Sequence, residues 1–210
     1  MFIMSLKIMN RTFCQWALVS ICSVLAACSS NKVAEPVVYL EKEPVSAQWM
    51  SQKEALLKES IKGSTFTLHQ QEGAWVITAP AQTSFNPDRP ALLLPAMLRP
   101  ITRIAKVLEA NPDAAVLVLG HTDHTSDNKA NQQLSADRAR SVASIFRLSG
   151  LKGGRMMHLG MGSSYLLEQP KSTAQNHRVE IIITPHVQMQ DMMAIYHPAY
   201  VRQLALSQSK

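Results

Sequence analysis

The sequence predicts an α/β sandwich in which strands alternate with helices and at least one pair of strands is joined by a parallel crossover. Three observations carry this. Residues 114–120 contain the unbroken run Ala-Val-Leu-Val-Leu, the pattern of a strand buried on both faces. Apolar residues recur at helical spacing on either side of it. Residues 179–184 supply a β-branched strand near the end.

The elements follow in order. Residues 49–61 read as a short peripheral helix with Met50, Leu56, Leu57 and Ile61 on its apolar face and Gly63 closing it. Residues 65–69 and 75–78 alternate in polarity about the turn Gln71-Glu72-Gly73, a β-hairpin. The Pro- and Asn-rich stretch 80–95 reads as a loop with an extended centre at Phe85. Met97, Ile101, Ile104, Ala105 and Leu108 mark one face of a helix over 96–110, which starts near Pro95 and stops at Asn111-Pro112. After the buried strand, Asp127 is placed to cap a short helix running to Gln133, and Ser135 to cap a second with Asp137 near its positive end. Val142, Ile145, Phe146 and Ser149 give that second helix its buried side, and Gly150 ends it. A strand over 155–159, a long loop from Gly160 to Gln175 and the strand at 179–184 complete the fold. No internal repeat is evident. The Met-rich tail after Pro185, broken by Pro198, has no assigned role.

The termini and composition bound the function. Lys7 and Arg11 precede a short apolar run over 13–27, the form of a secretory signal and less than the roughly 20 apolar residues of a membrane span. Leu25-Ala26-Ala27-Cys28 resembles a bacterial lipobox, which implies lipidation of Cys28; Ser29 follows, and by that resemblance the destination is the outer membrane. The competing reading is an ordinary signal or an uncleaved anchor with a chance cysteine. Cys14 and Cys22 lie in the leader, so with Cys28 lipidated no thiol is left to pair. The formal charge is +6, and losing Lys7 and Arg11 with the leader brings it to +4. No stretch of Lys and Arg interleaved with aromatics is present, which argues against nucleic acid as a partner. The expected organisation is a signal over 1–27, a tether with the peripheral helix over 28–62, one domain over 63–185, and a tail over 186–210.

The chemistry concentrates at Asp123, at the end of the buried strand, and Arg138, fifteen positions later near the expected start of a helix. One fixed anion and one fixed cation at the mouth of a pocket suit a zwitterion carrying an ammonium and a carboxylate. Arg can grip a carboxylate through two parallel N–H groups, and free backbone N–H groups of a first helical turn would add to the attraction. The pair could instead bridge strand and helix structurally. A zinc-hydrolase reading of His121-Thr122-Asp123-His124, with His158 and His177, needs a further histidine where Leu119 stands. No nucleophile-elbow pattern is present, and no catalytic role or cofactor is read from the chain.

Gly-His-Thr-Asp at 120–123, Asn131, Leu134-Ser135, Arg138-Ala139, Val142, Gly160-Met161-Gly162 and Asn176-His177-Arg178-Val179-Glu180 together resemble the OmpA-like domain. The similarity covers roughly residues 64–185. It implies a βαβαβ-type domain, a mixed sheet with helices packed on one face. It also implies non-covalent binding of peptidoglycan through the diaminopimelate of the stem peptide. Asp123 would then receive the ligand ammonium and Arg138 its carboxylate. Asn131 would add a hydrogen bond or merely cap a helix, and Thr122 would fix the turn. Arg178 would line the pocket or hold the loop below it. Cys28 would tie the protein to the outer membrane on its periplasmic side, alone or within a larger envelope machine. The chain departs from the family's pattern in two places. Ser126 stands where a glycine is frequent, and His177-Arg178 where two arginines are frequent, so one positive charge is lost or made pH-dependent.

Overall fold

The computed structural model describes residues 45–71, 73–124, 127–167 and 173–196. Cys28, the tether, Ser126 and the end of the tail lie outside these. Five strands form one mixed sheet: β1 (Thr67–Gln71), β2 (Ala74–Pro80), β3 (Ala114–His121), β4 (Met156–Gly160) and β5 (Arg178–Pro185). Their order is β1-β2-β5-β3-β4. β5 sits between β2 and β3, antiparallel to both, and β3 and β4 are the parallel pair joined by the expected crossover. The apolar run of the sequence is therefore the strand flanked on both edges and covered on both faces, and all eight residues of β3 are buried.

Helices α1 (Ala47–Ile61), α3 (Pro95–Glu109) and α4 (Asn128–Leu148) contribute to the main core. They pack with the side chains of Trp75, Ile77, Val116, Val118, Ile181 and Ile183. Burying a large aliphatic side chain contributes about 1.5–3 kcal/mol, so this layer dominates the stability of the domain. α1 is more than peripheral. Ser46 caps it by accepting from the Trp49 amide at 3.1 Å. It buries Met50 and Leu57, and the Met50 carbonyl accepts from Trp75 Nε1 at 3.0 Å. Leu56, expected on the apolar face, is 44% exposed; Lys53 takes the buried place and reaches Asn111 Oδ1 at 2.6 Å. The stretch 80–95 contains a single helical turn, α2 (Ala81–Ser84), and an isolated bridge of Phe85 to Leu93 that gives the expected extended centre.

Two expectations change at α4. A single 21-residue helix replaces the two short ones, capped by Asp127, whose side chain accepts from the amides of Lys129 and Ala130. Ser135 is no cap. Its hydroxyl donates to the Gln132 carbonyl at 2.9 Å and accepts from the Gly162 amide at 2.9 Å, stitching the helix to the loop after β4. The helix comes close enough that only glycine fits beneath it. A Cβ at Gly120 would collide with the Ser135 carbonyl oxygen, and one at Gly160 would stand 2.5 Å from the Ala136 amide nitrogen.

The other face of the sheet carries α5 (Met189–Tyr196), so the tail joins the core before it leaves the described residues. Met189, Met192 and Met193 cover Val76, Ala115, Leu117, Leu119 and Ile182. Beyond α5 this face holds a buried polar network. Arg178 Nε donates to Glu180 Oε1 at 2.7 Å, and His121 Nε2 lies 3.3 Å from Glu180 Oε2. Burial opposes ionisation of Glu180, but the hydrogen bond and charge of His121 and the charge and hydrogen bond of Arg178 outweigh it and hold the carboxyl at about 2. Burial pushes His121 the other way, below the ordinary histidine range. The Arg178 guanidinium supplies an attraction for Glu180 that does not depend on the state of His121.

Two predictions follow from this architecture. Gly120→Ala or Gly160→Ala should destabilise the domain by roughly 1–3 kcal/mol in denaturant unfolding by forcing α4 off the sheet. Gly153→Ala, with nothing near its Cβ position, should be close to neutral. The depressed Glu180 carboxyl stabilises the fold fully above its ordinary value near 4.5 and loses this as pH falls toward 2. Acid titration of the unfolding free energy should show a loss of roughly 2–3 kcal/mol across that window, absent in Glu180→Gln.

Candidate functional site

The site forms where the C-terminal end of β3 meets α4 and the stretch after α2. The strand end is fastened first. The Met161 amide donates to the Gly120 carbonyl at 2.9 Å and the Thr122 amide to the Gly162 carbonyl at 2.8 Å. Thr122 thus fixes the turn through its backbone; its buried hydroxyl has no hydrogen-bond partner. Asn131, one turn before Ser135, donates from Nδ2 to the Asp123 carbonyl at 2.9 Å. It acts here on the main chain of Asp123 and is not the helix cap.

Arg138 sits in the third turn of α4, not the first, so free N–H groups of a helix start do not assist it. It is 7% exposed. Its Nε donates to the Pro90 carbonyl at 2.8 Å, and its guanidinium carbon lies 5.3 Å from the centre of the Phe85 ring. Burial works against its charge, yet arginine stays protonated. Its Nη1 is buried without a hydrogen-bond partner. Leaving a donor of a buried cation unsatisfied is costly, and an incoming anion would relieve it.

Arg138 opens into a cleft of about 450 Å³ lined by Phe85, Asn86, Pro87, Pro90 and His177 among others. His177 joins the two charged residues of the sequence. It lines the cleft with Arg138, and its Nε2 lies 3.1 Å from Asp123 Oδ2. Its backbone is pinned: the carbonyl accepts from Ala81 at 2.9 Å and the amide donates to Ala174 at 3.2 Å. Phe85 carries no site signal in the sequence, and His177 enters there as a zinc candidate and as a lost or pH-dependent charge in the Asn-His-Arg-Val-Glu run, not as a neighbour of Asp123.

Arg178 is turned away from this cleft. It lines a separate cleft of about 630 Å³ with His121, Glu180 and Tyr165. Its Nη1 donates to the Asn176 carbonyl at 3.4 Å and its Nη2 to the Tyr165 carbonyl at 3.2 Å. Of its two expected roles, holding the loop matches the geometry and lining the ligand pocket does not. His121 and His177, both needed for the zinc alternative, fall in different clefts, one facing Glu180 and the other Asp123. Among the described residues, no group of three or more His, Cys, Asp or Glu is placed to hold a metal.

Comparison with known proteins places this geometry in a family. The model described as the OmpA family matches residues 84–180. The probable lipoprotein YiaD of Escherichia coli is 31% identical over 140 residues, 65% of this chain and 64% of YiaD. The peptidoglycan-binding protein ArfA of Mycobacterium tuberculosis is 38% identical over 96 residues, 44% of this chain and 29% of ArfA. The chain thus spans less than two thirds of either relative. Among solved structures, the cell wall anchor of the T6SS from Pseudomonas aeruginosa aligns with a TM-score of 0.53 and 25% identity, covering 62% of this chain and 95% of that one. The stretch that carries β3, α4, Arg138 and the first residues of β5 is thus the part of the chain that matches the OmpA family model.

Proposed function

We propose that this protein binds peptidoglycan non-covalently through the diaminopimelate of the stem peptide and links the outer membrane to the cell wall. The observation that carries the reading is the buried Arg138 guanidinium, its Nη1 unpartnered, lining a cleft together with His177, whose Nε2 stands 3.1 Å from Asp123 Oδ2. A carboxylate at Arg138 and an ammonium drawn toward Asp123 are the two ends of one amino-acid headgroup. Each charge-assisted contact contributes about 1.5–3 kcal/mol, and two of them together with van der Waals packing give a single site micromolar affinity at best, on the order of −8 kcal/mol. Repetition of the ligand along the polymer then raises the net hold by avidity. The lipobox resemblance at Cys28 supports a lipid anchor on the periplasmic face of the outer membrane. The peptidoglycan-binding name of one relative and the lipoprotein name of another agree with this.

A second reading, favoured by likeness to the T6SS cell wall anchor, is the same binding within a larger envelope machine. Crosslinked complexes recovered from cells separate the two.

Asp123→Ala and Arg138→Ala should each weaken co-sedimentation with purified sacculi at least about tenfold while circular dichroism stays native. Arg138→Lys should rescue little, because an ammonium cannot grip a carboxylate bidentately. Unchanged pelleting by both alanine variants would refute the pocket. Fatty-acid labelling lost in Cys28→Ala would support the anchor.

A further inference from the structure

We infer that His177 is a specificity-determining residue of the cleft, an internal cation that competes with the ligand ammonium for Asp123 and makes binding of the zwitterion weaken in acid. The inference rests on the diaminopimelate reading above and adds to it what controls that site. It starts from position. His177 Nε2 stands 3.1 Å from Asp123 Oδ2, and the side chain is 27% exposed against 7% for Asp123. Histidine therefore occupies the carboxylate edge that a ligand reaching Asp123 from the cleft must approach.

The charge balance follows from the groups that face it. Arg138 from α4 and His177 are the titratable side chains lining the cleft, with Asp123 behind His177. The residues contributed by α2 and the following stretch, Ala81, Gln82, Phe85, Asn86, Pro87 and Pro90, carry no charge. His124, beside Asp123 in sequence, is exposed, and Arg178 and Glu180 belong to the other cleft. Arg138 keeps its charge throughout, whereas histidine is the side chain that changes charge between about pH 5 and 8.

With His177 neutral, its N–H donates to Asp123 and the three groups together carry one positive and one negative charge, the complement of an ammonium-carboxylate pair. With His177 protonated, Asp123 is satisfied internally and the cleft carries a net positive charge. An ammonium must then displace a cation and enter beside two, while a ligand with a carboxylate and no ammonium gains. The bound zwitterion favours neutral His177, so binding releases a proton and affinity rises with pH.

Calorimetric titration of the full protein with meso-diaminopimelate tests this. One linked proton changes affinity by at most tenfold per pH unit, so a fall of about tenfold is expected from about pH 7.5 to about pH 5.5. His177→Gln keeps an N–H donor without a charge and should bind with a flat profile; His124→Gln should keep the wild-type slope. Pimelate, the same diacid without the ammonium groups, should bind more tightly at the lower pH. A flat wild-type profile, or a wild-type slope persisting in His177→Gln, overturns the inference and leaves the pocket standing. No heat of binding at either pH overturns the diaminopimelate reading and the inference with it. Should the glutamine variant not fold, the His177 ring resonances of wild type decide. Their titration midpoint should fall when meso-diaminopimelate is added, and an unmoved midpoint refutes the competition.

Discussion

The close approach of α4 to the sheet at Gly120 and Gly160 is the constraint on which the cleft depends. Ser135 lies at that contact, and its hydroxyl closes it by accepting from the Gly162 amide. Both charged residues are placed by short steps from this point. Asp123 is three residues beyond Gly120, and Arg138 three residues beyond Ser135 on the same face of the helix. Asn131, Ser135 and Arg138 stand at i, i+4 and i+7, so one buried stripe carries the tie to Asp123, the stitch to the loop and the cation in turn. A rigid packing contact, rather than a direct bond between anion and cation, sets their relation.

The legible parts of the chain were those governed by local pattern. The unbroken apolar run announces a strand covered on both faces, the hairpin is legible although β2 is buried on both faces rather than alternately, and the face of α3 is readable from Met97, Ile101, Ile104, Ala105 and Leu108, all of which are buried. The failures arose where tertiary packing overrode a local signal. Ser135 has the chemistry of a cap, but the helix runs through it because its hydroxyl finds partners in Gln132 and Gly162. Leu56 and Lys53 exchanged places because Asn111 and Asp113, remote in sequence, offer the ammonium its partners. The methionines of α5 recur at i, i+3 and i+4, the spacing of one helix face, but what that face covers appears only once the second face of the sheet exists.

The two ends of β3 and β5 separate their charges by face. Arg178 and His121 are cross-strand partners, and with Glu180 they form a network that closes on itself beside α5. His177, one residue earlier, points the other way and reaches Asp123. Period-two alternation explains why the two adjacent basic residues of one motif serve different clefts. A shift of β5 by one residue would exchange them, putting the loop-holding arginine at the ligand and the histidine in the network. The register of β5 between β2 and β3 is therefore a condition of the proposed binding as much as of stability.

The way Arg138 is held also limits what it can accept. Its Nε is engaged by the Pro90 carbonyl and one face of the guanidinium lies against Phe85. A grip that uses Nε is closed, and stacking on that face is taken. What remains is the end of the group, where Nη1 lies without a partner. The ring offers a partly desolvated cation some compensation while the cleft is empty, without consuming an N–H. On the proposed function, a planar carboxylate approaching end-on would meet the remaining donors with its plane set by the guanidinium, and its ammonium would lie toward the Asp123–His177 pair. The same clamp that keeps a buried charge tolerable in the empty cleft would then set the orientation of the proposed headgroup.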